Sequence, residues 1–450
     1  MVPVNRVTSG GMLRAKRGLQ SGLVCALLML CGSHAESQVE TPAQSDQVVD
    51  SIGINVHLGY TDTLYYNNFP LIQSALAELG VRHVRDSAPL AAPPGFYANH
   101  SALLADGIHG EFGVQITDQA SDIAGYPSLF APGYFEAYEP PDECDVSSLC
   151  GTPWVSNLLA FLPTLQANSG PYPVLGPSFA SPLGPPLLGN VSAYTGIGNM
   201  HNYKGGWNPG FAGSWGYGYV NYLSDALAIQ LAGITNPGQP VMSTETGYTN
   251  ATAPHSTQLG YPTGTDEPYD ANSITEGDAA IYMPRVPLMA WIDGIQRTYI
   301  YELLSSPGED YGLLRGDGSV KPAFESLEKL IHFLEDPGPP FQVQPLAYTI
   351  SGEVPTMQHL LVERRSGKYY LFLWLETPIY DKFLNAPINV APVNVQITTA
   401  LPMTTAAEQV WVSAGSVKKV DLTPGVLNVS VGPSITAVIL TVAQSPPVPQ

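Results

Sequence analysis

Two glutamates occupy positions from which a carboxyl group could do acid–base or nucleophilic chemistry. Glu245 follows the apolar stub Val241-Met242 in the run VMSTETGY and is followed closely by Gly247. Glu143 lies in the run FEAYEPPDECD, where five carboxyl groups fall within ten residues. Crowded carboxyl groups raise one another's pKa, which suits a general acid. Hydrolysis of a glycosidic bond needs such a pair, one group to protonate the leaving oxygen and one to attack the anomeric carbon or activate water.

Each glutamate also has a plainer interpretation. Glu245 could be a solvated loop residue, and the run around Glu143 could be a solvated acidic loop. Glu139 belongs to the same run and is the alternative to Glu143 as the acid. The choice depends on the elements that position these groups, because catalytic residues of a barrel lie at the C-terminal ends of its strands.

Eight short β-runs alternate with helix-compatible segments, a pattern that predicts parallel strands and the strand count of a (β/α)₈ TIM barrel. The predicted strands are Ile52–His57, Val81–Arg85, Glu111–Ile116, Phe135–Glu139, Pro173–Ser178, Ile197–Tyr203, Pro240–Glu245 and Arg297–Leu303. The helical segments between and after them are Phe69–Leu79, Trp154–Gln166, Gly218–Ala232, Asp278–Asp293 and Pro322–Leu334. We therefore assign residues 36–336 to an α/β catalytic barrel.

A second, all-β domain is expected after the barrel. The run Asp336-Pro337-Gly338-Pro339-Pro340 ends the last helix and acts as a linker. Short alternating strands without a long helix follow it, which is typical of a small β-sandwich over residues 341–445. Its predicted strands are Leu346–Ile350, Gln358–Glu363, Tyr369–Leu375, Val393–Thr398, Glu408–Val412, Val417–Asp421, Val426–Val431 and Thr436–Val442.

The order of these pieces resembles the clan A glycoside hydrolases, the retaining (β/α)₈ superfamily. Those enzymes carry Glu-Gly-Pro-Asn-Glu-x-Asp after the fourth strand, and here the run reads Glu139-Pro140-Pro141-Asp142-Glu143-Cys144-Asp145. The resemblance implies that Glu143 is the acid/base and that Glu245, ending strand seven, is the nucleophile. Asp142 replaces the usual Asn, which hydrogen-bonds the sugar 2-hydroxyl; an Asp could accept that bond but could not donate one.

Further positions match the clan by their place on the strands. Arg85 ends strand two, where clan members often place an arginine near the nucleophile. His201 and Tyr203 end strand six, where the clan often has a histidine or tyrosine that touches the nucleophile. The strand-eight stretch around Tyr301 is also similar, so the resemblance implies that all four residues contact substrate or nucleophile.

Substrate contacts beyond the clan pattern are less specific. The segment from Lys204 to Tyr222 is rich in glycine and aromatic residues, and flat aromatic faces can stack on sugar rings, so Trp207, Trp215 and Tyr217 are possible platforms. They could equally cover the barrel rim. His57, ending strand one, could bind a sugar hydroxyl or be purely structural.

The first 35 residues are expected to be a signal peptide. A basic region that includes Arg14 and Arg17 precedes the apolar run GLVCALLMLCG and the small-residue pattern Ser33-His34-Ala35. We therefore expect a secreted or periplasmic protein. Removal of this segment leaves Cys144 and Cys150, for which a local disulfide is expected in an exported chain.

Charge and composition exclude several classes of partner. The formal net charge is −20, which argues against nucleic acid and anionic membranes as partners, because both require patches of lysine and arginine. It also disfavours a polysaccharide lyase acting on uronic acids. We expect a monomer with a carbohydrate substrate, no cofactor and no metal site. The alternative function is non-catalytic carbohydrate binding on a barrel scaffold, in which one of the two carboxyl groups would be misplaced.

Overall fold

The computed structural model describes residues 38–211, 222–250, 272–307, 309–400, 402, 407–411, 420–422 and 426–442. The expected signal peptide, residues 1–35, lies outside the described residues, as do Trp215 and Tyr217. Residues 37–450 form one compact unit. Within the described part, no helix is both long enough and apolar enough to cross a membrane.

The secondary structure alternates strands and helices up to residue 334 and is then built from strands. The strands are β1 Gln38–Glu40, β2 Ala43–Gln44, β3 Ile52–Asn55, β4 His83–Ser87, β5 His109–Gly113, β6 Phe135–Glu139, β7 Gly198–His201, β8 Val241–Thr246, β9 Thr298–Ile300, β10 Leu346–Ser351, β11 Met357–Glu363, β12 Tyr369–Leu375, β13 Tyr380–Asp381, β14 Ala386–Pro387, β15 Val393–Thr399, β16 Ala407–Trp411, β17 Val420–Leu422, β18 Val426–Val431 and β19 Thr436–Leu440. The α-helices are α1 Ser45–Asp50, α2 Leu64–Asn67, α3 Phe69–Leu79, α4 Phe96–Leu103, α5 Ala120–Gly125, α6 Trp154–Asn168, α7 Gly184–Leu188, α8 Tyr222–Leu231, α9 Glu276–Tyr282, α10 Arg285–Ile292 and α11 Pro322–Leu334.

A parallel sheet in the order β6-β5-β4-β3-β9-β8-β7 forms the wall of the barrel. The predicted strand Pro173–Ser178 appears as bridges that fill the remaining gap: Val174 pairs with Tyr138 of β6, and Leu175 pairs with Ile197 beside β7. Prolines at 173 and 177 have no N–H to donate, so a regular ladder cannot extend through this segment. The ring nevertheless closes, and the fold is a (β/α)₈ barrel as the sequence predicts.

The outer helices follow from apolar spacing and terminal signals. In α3 the buried residues include Ile72, Leu76 and Leu79, three or four positions apart on one face. Pro70 lies in the first turn of the helix, and Gly80 ends it in the left-handed conformation at φ 79°. This face packs on the apolar core between the helices and the sheet.

Two antiparallel sheets form the β-sandwich, in the orders β1-β10-β15-β18 and β17-β16-β19-β12-β11-β2. Strand β18 alternates buried and exposed residues, as expected for a strand with one face in a core. Strand β12 is buried on both faces. Its Leu371 and Leu373 belong to the core between the two sheets, whereas Phe372 and Trp374 belong to the core shared with the barrel. The sandwich therefore packs directly on the barrel through one face of β12.

The two N-terminal strands belong to the sandwich, although residues 36–336 were all expected to belong to the barrel. Strand β1 pairs antiparallel with β10, and β2 pairs parallel with β11, so residues 38–44 complete the two sandwich sheets. These segments of three and two residues cover edges that strands β10 and β11 would otherwise leave open, and exposed edges invite aberrant pairing. Among the described strands, none after residue 345 joins the barrel sheet.

Candidate active site

A cavity of about 400 Å³ opens where the barrel strands end. Most of its wall is polar, and it is lined by Asn55, His57, Tyr60, Arg85, Asp86, Ser87, Gln115, Asp142, Glu143, Leu149, Tyr203, Glu245, Tyr301, Glu309 and Tyr311. These residues come from the ends of β3, β4, β5, β6, β7, β8 and β9 or the loops that follow. The cavity therefore lies at the face of the barrel where catalytic residues are found.

Glu245 is buried in the cavity wall and is held by donors from strand β4 and from the segment that follows β7. Arg85 Nη1 donates to its Oε1 at 2.5 Å, and the Tyr203 hydroxyl donates to Oε2 at 2.7 Å. His201 Nδ1 lies 3.6 Å from Oε2. Burial raises the pKa of Glu245 to about 7, although the charges of His201 and Arg85 oppose that shift. The donors fix the orientation of the carboxyl group.

Arg85 connects the carboxyl groups of the site. Its Nε donates to Glu139 Oε2 at 2.5 Å, and Nη2 donates to Asp142 Oδ1 at 3.1 Å. Nη1 also donates to Asn55 Oδ1 at 2.9 Å. Burial alone would lower the pKa of Arg85, but the surrounding carboxylates hold it well above its usual value. A charged guanidinium therefore stays at the centre of this network.

Glu143 reaches the same cavity from the loop after β6. Its Oε1 lies 3.0 Å from His201 Nδ1. One oxygen of Glu143, one nitrogen of His201 and one oxygen of Glu245 all lie within 4.8 Å of one another. The two glutamates that the sequence singled out are thus neighbours across the cavity.

The loop that carries Glu143 is fixed on several sides. Cys144 and Cys150 form a disulfide, as expected. The Asp145 carboxylate accepts the N–H groups of Ala180 and Ser181 at 3.1 and 2.9 Å. Glu143 itself has φ 41°, a left-handed conformation that is costly for a residue with a side chain and persists only where the surroundings impose it.

Glu139, the alternative acid, has a different environment. Its side chain is wholly buried and is not part of the cavity lining. Besides Arg85, Asn199 Nδ2 donates to it at 2.8 Å and Thr244 Oγ1 at 3.2 Å. Burial would raise the pKa of Glu139, but Arg85 and His201 outweigh it and lower that pKa to about 2. Glu139 is therefore an ionised partner of Arg85 beneath the cavity.

His201 lies beneath the two cavity glutamates, with its other ring nitrogen, Nε2, 2.9 Å from Thr244 Oγ1. Burial would lower the pKa of His201, but the charges of Glu245 and Asp142 and hydrogen bonds to Glu139 and Glu143 raise it well above the usual value. A protonated imidazole at this point partly balances the carboxyl groups around it.

Not every predicted contact residue reaches the cavity. His57, Arg85, Asp142, Tyr203 and Tyr301 line it, and His201 supports its base. Trp207 is not part of the lining.

Trp207 packs elsewhere, at the junction with the sandwich. It stacks on Phe211 with ring centroids 4.4 Å apart, and Lys382 Nζ lies 5.2 Å from its ring centroid. Lys382 follows β13, so a hairpin of the sandwich covers this ring. Trp207 therefore occupies a packing position between the barrel rim and the sandwich.

Sequence reasoning missed several lining residues, namely Asn55, Tyr60, Asp86, Ser87, Gln115, Leu149, Glu309 and Tyr311. Asn55 could have been predicted from the sequence, because a polar residue at the end of the otherwise apolar, buried strand β3 needs hydrogen-bond partners. Asp86 and Ser87 directly follow Arg85 at a strand end. Glu309 and Tyr311 lie in a loop, where spacing gives no such signal.

Two groups of side chains in the described residues have the atom types of a metal site: Glu139 with Asp142 and His201, and Glu143 with His201 and Glu245. The Arg85 guanidinium already donates to the carboxylates of Glu139, Asp142 and Glu245. A metal cation would have to share those oxygens with a fixed positive charge, so the arrangement fits an arginine-centred network better than a metal site.

No protein-family model matches the sequence, and no curated protein matches it. Among solved structures, the chain is similar to a glucosidase from Croceicoccus marinus, with TM-score 0.57, 11% identity and coverage of 91% of this chain and 99% of that one. It is also similar to a family 51 α-L-arabinofuranosidase from Bifidobacterium longum, with TM-score 0.50, 10% identity and coverage of 89% and 97%. At such identities the likeness concerns the fold, and that fold is the one that the sequence resemblance to the clan A glycoside hydrolases predicts, a (β/α)₈ barrel followed by a β-sandwich.

Proposed function

We propose that the protein is a glycoside hydrolase that cleaves a poly- or oligosaccharide by a retaining double displacement. The observation that carries the proposal is the meeting of Glu143 and Glu245 in the cavity, with one oxygen of each within 4.8 Å. Retaining enzymes hold their two carboxyl groups about 5–5.5 Å apart, whereas inverting enzymes leave roughly 6.5–9.5 Å for a water molecule. The short separation supports retention, and both compared structures belong to enzymes named as glycosidases.

Glu245 is suited to be the nucleophile. In the first step one of its carboxylate oxygens bonds to the anomeric carbon while the bond from that carbon to the leaving oxygen breaks. Arg85 and Tyr203 each donate a hydrogen bond to the Glu245 carboxylate and orient it for this attack. The nucleophile must be ionised, and the Arg85 charge favours that form against the effect of burial.

Glu143 is suited to be the acid/base. Its side chain is 22% exposed, against none for Glu139, so it can meet both a leaving group and a water molecule. It would donate its proton to the leaving oxygen in the first step. In the second step it would take a proton from the water that attacks the glycosyl–Glu245 ester, which restores both carboxyl groups.

The test combines product stereochemistry with trapping of the intermediate. Purified protein is screened on polysaccharides and aryl glycosides, and proton NMR follows the first anomer released from a hydrolysed substrate. A 2-deoxy-2-fluoro aryl glycoside of the same sugar should leave its glycosyl group on the peptide that contains Glu245. Product of inverted configuration would refute the retaining mechanism. Saturable carbohydrate binding without hydrolysis would favour the non-catalytic alternative.

We further propose that the protein is exported. The basic and apolar pattern of residues 1–35 and the Cys144–Cys150 disulfide support this, because disulfides persist in oxidising compartments. N-terminal sequencing of the protein recovered from its source should begin near Glu36. A chain that retains its first residues inside the cell would contradict export without affecting the proposed activity.

A further inference from the structure

His57 lines the cavity, and its ring is fixed by aromatic neighbours. It stacks on Tyr60 at a centroid distance of 4.4 Å and meets Tyr65 and Tyr301 edge-on at 5.8 and 5.5 Å. Its Nε2 is buried and, among the residues that the structure describes, has no hydrogen-bond partner within normal geometry. The side chain is 13% exposed, so Nδ1 is the ring nitrogen that a molecule in the cavity can reach.

Glu302 lies completely buried behind His57. Its Oε2 is 3.5 Å from His57 Nε2, and no Lys or Arg in the described residues forms an ion pair with it. The Tyr65 hydroxyl donates to the same oxygen at 3.1 Å, and it accepts the N–H of Leu304 at 2.8 Å. Within the described part of the chain, the other carboxyl oxygen, Oε1, has no hydrogen-bond partner. A buried acid and a buried imidazole therefore face each other, each with an unsatisfied atom.

The surroundings favour the uncharged form of both groups. Burial raises the pKa of Glu302 well above its usual value. The charges of Glu309 and Glu245 act in the same direction, while a hydrogen bond from Tyr65 and the charge of Lys321 oppose this shift.

The pKa of His57 is lowered, mainly by burial. The charge of Arg85 acts in the same direction, while the charges of Asp86, Glu309 and Asp142 oppose this shift. A neutral carboxyl group has one proton to donate, and a neutral imidazole has one nitrogen that can accept it.

We propose that Glu302 is a positioning residue: its un-ionised carboxyl donates to His57 Nε2 and thereby fixes the tautomer that presents Nδ1–H to a hydroxyl of the bound sugar. In the structure the two atoms are 3.5 Å apart, so this hydrogen bond requires them to move closer by about 0.5 Å. The part that names a sugar as the acceptor rests on the proposed glycosidase function. The pairing of Glu302 with His57 does not.

The tautomer is measured directly by long-range ¹H–¹⁵N correlation spectra of the full chain labelled with ¹⁵N-histidine, with His57 assigned from the spectrum of His57→Gln. We expect one Nδ1–H tautomer near neutral pH. Glu302→Gln should keep it, because an amide N–H can donate to Nε2, whereas Glu302→Met should release it into a mixture. A doubly protonated or Nε2–H imidazole in the wild type would overturn the proposal, even if Glu302→Met failed to fold.

Kinetics on an aryl glycoside that the wild type hydrolyses then test the sugar contact. Glu302→Met and His57→Phe should each lower kcat/KM about tenfold, as expected for one lost hydrogen bond, and the double variant should lose no more than either alone. Glu302→Gln should stay within about threefold of the wild type. Fully additive losses, or equal losses in Glu302→Gln and Glu302→Met, would contradict the proposal. If no glycoside is hydrolysed the proposed function fails, and the tautomer measurement still decides the pairing.

Discussion

The mouth of the barrel and the interior of the sandwich bury opposite kinds of side chain. At the mouth, Arg85, Glu139, His201 and Glu245 are buried side by side. The core between the two sandwich sheets is instead built from apolar side chains such as Leu371, Leu373 and Val438. Burying a charge is costly unless it is paired, whereas burying apolar surface is favourable. The barrel mouth therefore depends on pairing among its buried charged groups, whereas the core of the sandwich is stabilised by apolar burial.

Strand β12 shows how closely the two regions are joined. Its alternate residues enter the sandwich core and the core shared with the barrel, so the sandwich packs directly on the barrel that carries the cavity. Substitutions in the two regions are therefore expected to have opposite effects. Substitutions at the mouth should change the rate much more than the stability, and substitutions inside the sandwich should do the reverse.

The sharpest test of this contrast is Glu245→Ala. Loss of the nucleophile should lower kcat/KM by about 10⁴-fold or more, equivalent to about 5.5 kcal/mol or more of transition-state stabilisation. The matched control is Glu363→Gln, which changes a buried carboxyl group of the sandwich and should leave the rate within about twofold. Initial rates on one aryl glycoside measure both. Near-normal turnover by Glu245→Ala would remove the nucleophile from its proposed role.

Glu143→Ala should give the next largest effect, and one that depends on the substrate. With poor leaving groups the loss should be about 10²–10⁴-fold, the usual contribution of general acid catalysis, and with good leaving groups much smaller because little protonation is needed. Glu139→Gln is the control at the same site, since it disturbs Arg85 without touching a leaving group. Its loss should be similar for all leaving groups. If only Glu139→Gln showed the leaving-group dependence, the acid would be reassigned.

Local patterns predicted most of the fold. Strands β6, β12 and β18 and helices α3 and α11 have the bounds that alternation and apolar spacing predict. The pairing of β1 and β2 with the sandwich was not predictable, because two or three residues carry no periodicity and their partners lie some 300 positions away. Segment 173–178 was overpredicted as a strand because its prolines interrupt the ladder.

The sequence predicted which carboxyl groups lie near the ends of strands, but not which of them reach the cavity. Glu245 lies near the end of β8 and Glu143 in the loop after β6, and the structure brings them together. Glu139 is only four residues from Glu143, yet it points into the barrel as the partner of Arg85. The four-residue separation does not reveal which of two acids faces solvent, because that depends on where β6 ends and the loop turns.

The sandwich side of the comparison is tested by Leu373→Ala. This leucine is fully buried between the sheets, so its truncation should lower the free energy of unfolding by about 3 kcal/mol through lost burial and the resulting cavity. The control Leu384→Ala removes the same atoms from a side chain that is 75% exposed, and should cost less than about 0.5 kcal/mol. Urea unfolding measures both, and kcat below the transition should be unchanged in each. A large fall in kcat for Leu373→Ala would show that the sandwich shapes the site.

The smallest expected effect is a pH-dependent gain in stability from Glu245→Gln. Burial raises the pKa of Glu245 to about 7 from a usual value of 4.5. Between these values the folded protein retains a proton that the unfolded chain releases, so the wild type loses stability as pH rises through this window. Glutamine does not titrate, and the variant should therefore be more stable than the wild type at pH 8, by about 1 kcal/mol, and show little gain at pH 4.5.

Glu139→Gln should show the opposite sign, which separates the two carboxyl groups of the mouth. Because the pKa of Glu139 is lowered to about 2, this residue contributes stability above its unfolded value, and that contribution is lost only as pH falls toward 2. Its replacement should therefore destabilise the protein at pH 8 and less so at low pH. Unfolding temperatures of the wild type and both glutamine variants across about pH 2.5–8 measure the effect, because the Glu139 contribution changes only below about pH 4.5. Stabilisation by both variants at pH 8 would mean that the Arg85 network does not favour the charged form of Glu139. The two carboxyl groups, Glu139 and Glu245, would then not differ in the charge state that the folded protein favours.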